Sequence, residues 1–246
     1  SFIIFHCISY LIDLYSAVNM GKESDSMIIN GSYSELDEFL NASLYVLFFP
    51  KLIQGPITQY TDFRQYLGLR KTNINNLTKG LERFIIGLSK KVLIADELNT
   101  ILTDIGMSLN IDSGTAWLIV VTYGLRIFYD FAGYSDMAIG IAQMLGVSLP
   151  ENFDKPYLSS SISEFWDRWH MSLGKWLRQY VYFPLGGNRH GNVFLNLFVV
   201  FLVSGLWHGN TKLYLLWRIA HGLVVVLERT KIYRKIDFSK TTTKIF

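Results

Sequence analysis

The chain has 246 residues, half of them hydrophobic and 15% aromatic, with only 17% charged and a formal net charge of +3. Soluble domains average roughly 25% charged residues, so this balance, with a mean hydropathy of +0.24, points to a multi-helix membrane protein. The weak charge, without a basic stripe, gives no case for nucleic-acid binding, and the single cysteine, Cys7, excludes an internal disulfide framework and a cysteine zinc cluster.

Ser1 to Met20 is apolar except for Asp13 and is long enough to span a bilayer. It has no initiator Met and no basic segment before it, so it does not read as a signal peptide. The expectation is a fragment of a longer protein, cut within or just before a membrane helix. Gly21 to Asp37 is polar and reads as a loop. Phe39 to Pro50 is apolar but short, which suits a re-entrant or interfacial piece. Gly55-Pro56 breaks it, and Ile57 to Leu77 is polar and interfacial in character. Gly80 to Leu102 has helical periodicity with Lys90 and Lys91 in its middle, where lysines can snorkel.

Ser113 to Leu125 is apolar, and Arg126, Asp130 and Asp136 follow among aromatics. Leu149-Pro150 opens a loop. Ser161 to Tyr180 is expected to be one amphipathic helix: Ile162, Phe165, Trp166, Trp169, Leu173, Trp176 and Leu177 recur at spacings of three and four. Ser161 and Glu164 fit a capping box at its start, and Pro184 with Gly186-Gly187 ends it. On that helix His170 shares a side with Trp166, Leu173 and Leu177. Leu213 to Leu227 is a further candidate span, interrupted by Arg218 and His221. The segment from Glu228 to Lys244 is basic and is assigned to the cytoplasmic side.

The most informative segment is Asn192 to Thr211, which holds no Asp, Glu, Lys or Arg yet contains His208. An ionisable group in such a segment faces a protein interior or a water-filled cavity and is a functional candidate by default. Neutral imidazole can accept a proton from an alcohol, as acyl transfer to a hydroxyl requires. His170 and His208 are too far apart in sequence to share a helix face and can meet only through tertiary folding. The bland alternative for each is a packed histidine with a backbone partner. Other patterns carry less. Ser172-Leu-Gly-Lys175 lacks the companion motifs of a serine-lysine hydrolase, Leu185-Gly-Gly-Asn-Arg189 reads as a turn, and no metal-ligand spacing occurs. Trp166, Trp169 and Trp176 form an interfacial aromatic stripe, with sugar stacking as the sharper alternative.

Several longer blocks are recognisable together: Phe48-Phe-Pro-Lys-Leu-Ile-Gln-Gly-Pro-Ile57, Tyr129-Asp-Phe-Ala-Gly-Tyr-Ser-Asp136 and Pro150-Glu-Asn-Phe-Asp-Lys-Pro-Tyr157. Downstream come Glu164-Phe-Trp-Asp-Arg-Trp-His-Met-Ser-Leu173, Trp176-Leu-Arg178, Tyr182-Phe-Pro-Leu-Gly-Gly-Asn-Arg189 and Ser204-Gly-Leu-Trp-His-Gly209. Together they closely resemble the membrane-bound O-acyltransferase (MBOAT) family, from near Ser1 to about Arg229. The Pro-Leu-Gly-Gly-Asn-Arg block looks like its bacterial alginate O-acetylase branch, which includes peptidoglycan O-acetylating proteins. The teichoic-acid D-alanylation relatives fit that block less well.

The resemblance implies an all-α, multi-pass fold, a ring of tilted helices around a tunnel with re-entrant and amphipathic pieces, formed as one domain over residues 1–246. It implies that His208 is the family's membrane-embedded catalytic histidine and that His170 is the second catalytic position. Trp207, Arg168, Arg178 and Trp166 become candidate substrate-binding residues, Arg178 for a donor phosphate. No cofactor is expected to be resident. Acetyl-CoA or another acyl thioester is the implied donor. The implied partners are an acyl carrier, a periplasmic or extracellular acetyltransferase, an exported polysaccharide and the lipids of a bacterial plasma membrane. The expected activity is O-acetylation of a polymer such as alginate or peptidoglycan. The alternatives are D-alanyl transfer to teichoic acid, or a transporter or scaffold without chemistry of its own.

Overall fold

The computed structural model describes residues 2–20, 35–67, 72–106, 111–209 and 211–230. Among them the structure is helical, with one isolated antiparallel bridge, Phe153 to Trp169. The chain divides into two compact units, Ser1–Asn152 and Phe153–Phe246. The loop expected over Gly21 to Asp37 lies mostly outside the described residues, as does the basic segment beyond 230.

The first unit contains α1 (Phe2–Met20), α2 (Glu35–Leu47), a 3-10 turn at Phe49–Lys51, the single turn α3 (Tyr60–Phe63), α4 (Ile74–Ser89), α5 (Asp96–Gly106) and α6 (Ser113–Met144). Helix α1 is the one described helix long and apolar enough to cross a bilayer, over Phe2–Asn19. The short apolar piece expected before Pro50 is α2 followed by the 3-10 turn, so the break comes at Phe48 rather than at Gly55.

Periodicity over Gly80 to Leu102 is interrupted: Lys90–Ala95 forms a π-helical stretch joining α4 to α5. Helix α6 runs unbroken for 32 residues, through Arg126, Asp130 and Asp136. Its start is set by Asp112, whose side chain accepts from the Thr115 backbone N–H at 2.7 Å, which satisfies one of the open donors of a helix N-terminus. Its end follows from Gly146, left-handed at φ 76. Gly146 turns the chain so that Val147 N–H reaches back to Ala142 O at 2.8 Å, a Schellman closure.

Helices α4 and α6 pack antiparallel with their backbones in contact at two glycine pairs. A Cβ on Gly87 would stand 2.5 Å from Gly133 O, and one on Gly80 would stand 2.6 Å from Gly140 O. That approach lets polar side chains reach between the helices. Arg83 and Lys90 both pair with Asp136, at 2.8 and 2.5 Å, and Arg83 also clasps Glu151. Lys91 pairs with Asp130 and Asp96. Arg83, Lys90, Lys91, Asp96, Asp130 and Asp136 are thus held in matched pairs, which offsets part of the cost of placing charge there.

The core of this unit is aromatic: Tyr45, Phe48, Tyr60 and Phe63 close on Ile139, Ala142, Val147 and Leu149. Lys51 is fully buried beneath it, donating to Thr58 Oγ1 at 2.8 Å with its ammonium over the rings of Tyr45 and Phe63. Rings at those distances are attractive partners for a desolvated cation.

The second unit contains a 3-10 turn at Pro156–Leu158, α7 (Ile162–Arg168), α8 (Met171–Leu177), a π-helical turn at Arg178–Tyr182, α9 (Val193–His208) and α10 (Lys212–Glu228). The single amphipathic helix expected over Ser161 to Tyr180 is instead two helices broken at Trp169-His170. Trp169 is extended, and His170 is left-handed at φ 49, ψ 52. Helical spacing across the break therefore does not place His170 beside Trp166.

A non-glycine residue in that conformation costs about 1–2 kcal/mol, and the surroundings hold it. The strand-like bridge brings Asp154 N–H to Arg168 O at 3.0 Å. Trp169 is stacked on Phe165 and met edge-on by Phe153. The expected capping box is half formed: Ser161 accepts from Glu164 N–H, while the Glu164 carboxylate turns to Ser160. At the same helix start, the Glu228 carboxylate from the end of α10 accepts from Ile162 and Ser163 N–H, each at 2.8 Å.

Helix α9 begins at Asn192, whose side chain accepts from Phe194 and Leu195 N–H. At 16 residues it is about 24 Å long, shorter than the expected segment because it stops at His208. The Leu185 to Arg189 segment is a turn, with Gly186 and Gly187 at positive φ. A Cβ on Gly186 would strike His190 O at 2.4 Å. Asn196 of α9 ties down that turn by donating to Gly187 O at 3.1 Å.

Candidate active site

Helices α9 and α10 form a hairpin, and the position of His208 at the end of α9 brings it against α10. Arg218 donates from Nη2 to His208 Nε2 across 2.5 Å. Only 3% of Arg218 is exposed. Its guanidinium lies 4.4 Å from the ring centroids of both Trp166 and Trp217. Gly205 makes room for the stem, since a Cβ there would stand 3.0 Å from Arg218 Cβ and Cγ. The pairing therefore depends on the small residue of the Ser204-Gly205 step, one turn before the histidine.

His170 reaches the same region from the α7–α8 break. It is buried, and its ring centroid lies 6.2 Å from that of Trp207, whose ring in turn lies 4.6 Å from His208. Burial holds the His170 imidazole well below its ordinary basicity, and His208 and Arg218 push the same way. The ring is therefore neutral at working pH.

A cavity of about 170 Å³ opens here, lined by His170, Arg218, Trp166, Arg178, Ser204 and Arg229 among others. A volume of that order holds several water molecules or a small acyl group. Its floor carries His170 and Arg218. Arg178 contributes an exposed charge, paired with Asp167 at 3.0 Å.

The residues singled out from sequence divide as follows. His170, Trp166 and Arg178 line the cavity directly. His208 joins it through Arg218, and Trp207 lies between the two histidines in the ring contacts. Arg168 does not line the cavity and is held by Glu164 at 2.7 Å. Trp169 lines the cavity as well as serving the break, and Trp176 packs on Tyr180. No group of three or more metal-ligating side chains occurs among the described residues.

Sequence reasoning passed over Arg218, treating it as an interruption of an apolar segment. A lone cation inside such a segment, ten positions after His208, was the available signal.

Comparison with known proteins matches the sequence to a family. The MBOAT, membrane-bound O-acyltransferase, family model matches residues 7–244. The chain is 40% identical to a probable alginate O-acetylase AlgI of Pseudomonas putida, over 93% of this chain and 45% of that protein. It is 36% identical to a peptidoglycan O-acetyltransferase of Helicobacter pylori, over 100% of this chain and 50% of that protein. To a teichoic acid D-alanyltransferase of Bacillus subtilis it is 32% identical, over 74% and 49% respectively. The chain thus spans about half the length of the curated relatives it matches. With nearly its whole length matched, the chain belongs to the membrane-bound O-acyltransferase family.

Proposed function

We propose that this chain carries the catalytic part of a multi-pass membrane O-acyltransferase that moves an acetyl group from a thioester donor toward a hydroxyl of an exported polysaccharide. The observation that carries the reading is that His170 and Arg218 line one cavity, with His208 bound to Arg218 behind it. Resemblance to alginate and peptidoglycan O-acetylating proteins favours acetyl as the group and a cell-envelope polymer as its destination.

In this reading the acceptor hydroxyl enters near His170, which orients it through a neutral ring nitrogen. His208 accepts the hydroxyl proton as the oxygen attacks the thioester carbon. The new C–O bond forms, the C–S bond breaks, and the departing thiolate recovers the proton from the imidazolium. The products are an ester and a thiol. Arg178 and Arg229 at the cavity suit an anionic donor such as acetyl-CoA or a phosphopantetheine-bearing carrier, and Trp166 offers an aromatic wall for a sugar or the acyl chain. A ring of tilted helices around a tunnel, a periplasmic or extracellular partner acetyltransferase and a location in the bacterial plasma membrane complete the proposal for the full-length protein.

The test is transfer by the purified full-length protein in vesicles, with radiolabelled acetyl-CoA and mannuronate or muropeptide oligomers as acceptors. Label in an alkali-labile ester, lost with His208→Ala, supports the enzyme reading. Unchanged transfer after replacing both histidines would assign the protein a scaffolding role instead. Selective use of a D-alanyl thioester would favour the teichoic acid reading suggested by the Bacillus subtilis relative.

A further inference from the structure

The contact between Arg218 and His208 sets a chemical problem that the proposed function must solve. A neutral imidazole has one acceptor nitrogen. In His208 that acceptor, Nε2, takes the hydrogen of Arg218 Nη2, so the ring proton resides on Nδ1. No lone pair is left to receive a proton from an alcohol. The histidine is held in a form that cannot act as a base.

Resting on the reading of His208 as that base, we propose that Arg218 is a latch on His208 which the thioester donor releases, and that the released guanidinium then stabilises the oxygen of the reacting carbonyl. Four observations support it. Arg218 is almost completely buried, yet it lines the cavity. No carboxylate pairs with it among the described residues. Its Nε makes no hydrogen bond there, leaving donor capacity in the plane of the group. The rings of Trp166 and Trp217, which meet each other edge to face at 5.6 Å, both lie against it. A cation held by aromatic rings and not by a carboxylate can change hydrogen-bond partner without breaking an ion pair.

The exchange follows from charge. As the acceptor oxygen approaches the thioester carbon, the carbonyl oxygen gains negative charge. A guanidinium binds an oxyanion more strongly than it binds a neutral ring nitrogen. Arg218 therefore moves its N–H to the oxyanion, and His208 Nε2 becomes free to accept the alcohol proton. Collapse restores the carbonyl, expels the thiolate, returns the proton from the imidazolium to sulfur and lets Arg218 close again on Nε2. The base is exposed only as attack on a bound donor builds charge on its carbonyl oxygen, which suppresses proton transfer to stray water. Gly205 belongs to the device because it sets the distance of the arginine stem from α9.

Two measurements on the full-length protein separate the latch from the catalytic reading. The first is carbethoxylation of His208 by diethyl pyrocarbonate without donor, followed by peptide mass spectrometry. Arg218→Gln is expected to raise the His208 rate about tenfold, the scale of losing one charged hydrogen bond, with His170 in the same sample unchanged. Arg218→Lys, which keeps a cation and serves where the glutamine variant fails to fold, gives an intermediate rate.

The second is steady-state transfer from acetyl-CoA. Arg218→Gln is expected to lose about 10²–10³-fold in kcat, the scale of one oxyanion donor, with KM for acetyl-CoA within about threefold and partial recovery in Arg218→Lys. Gly205→Ala should reproduce the kcat loss in milder form. Equal His208 labelling in wild type and both Arg218 variants, or wild-type kcat in Arg218→Gln, overturns the proposal. Undiminished transfer by His208→Ala would remove the base reading alone, and the labelling rates would still decide the latch.

Discussion

Gly87 of α4 and Gly133 of α6 meet backbone to backbone, with a Cβ on Gly87 placed 2.5 Å from Gly133 O and one on Gly133 placed 2.7 Å from Gly87 O. Neither helix can retreat locally without opening the second pair at Gly80 and Gly140. Gly87→Ala is therefore expected to lower stability by about 1–3 kcal/mol, the range for overpacking a tight contact. Gly106→Ala is the control, because a Cβ there meets nothing within 4 Å. Thermal melting in detergent would check both, and an unchanged midpoint for Gly87→Ala would show that the helices yield.

The Asp136 carboxylate serves two cations at once. Asp136→Asn leaves Arg83 and Lys90 facing each other with only Glu151 to balance Arg83. The expected loss is about 1–2 kcal/mol, below the figure for a dry pair, because the two cations are about a third exposed. Adding Lys90→Met should recover part of it. A double variant no more stable than Asp136→Asn would contradict this account.

Removing the imidazole at 208 should cost roughly 10²–10⁴-fold in acyl transfer, the range for a well-placed acid or base. It also strips Arg218 of its ring-nitrogen partner, so His208→Ala should melt lower than wild type. His208→Gln, which can still accept from the guanidinium, should recover the melting point but not the transfer rate. The split between those two readouts distinguishes chemistry from packing.

His170 makes stability depend on pH. Its folded imidazole resists protonation because it is buried beside His208 and Arg218, whereas the unfolded group titrates near 6.5. Below that pH the unfolded chain binds a proton that the folded chain refuses, so stability falls as pH falls through about 6.5. His170→Asn should flatten this slope between about pH 6.5 and 5 relative to wild type. Asp167, Arg178 and Arg229 also line this cavity and are present in both proteins, so the difference isolates the histidine. Identical slopes would mean that His170 titrates freely.

What was legible in the sequence was local. Asn192 and Ser161 announced helix starts, the Gly-Gly step announced a turn, and the apolar segment around His208 announced a helix with a costly residue at its end. The break at His170 was not legible, because apolar spacing of three and four persists straight across it. What bends the chain there is the pairing of Phe153 with Trp169, and neither residue advertises it. Arg218 was visible as a charge but not as a partner, since its contact needs the α9–α10 hairpin and the full reach of an arginine. Likewise the grouping of Arg83, Lys90, Asp136 and Glu151 depends on how closely two glycine-bearing helices approach.

The clasp of Glu228 on the first two N–H groups of α7 has a mechanical corollary. Sliding α10 by one helical turn of about 5.4 Å would pull both carboxylate oxygens out of hydrogen-bonding range. The clasp therefore ties the start of α7 to the end of α10, so that a pull on α10 bears on the helix that leads into His170.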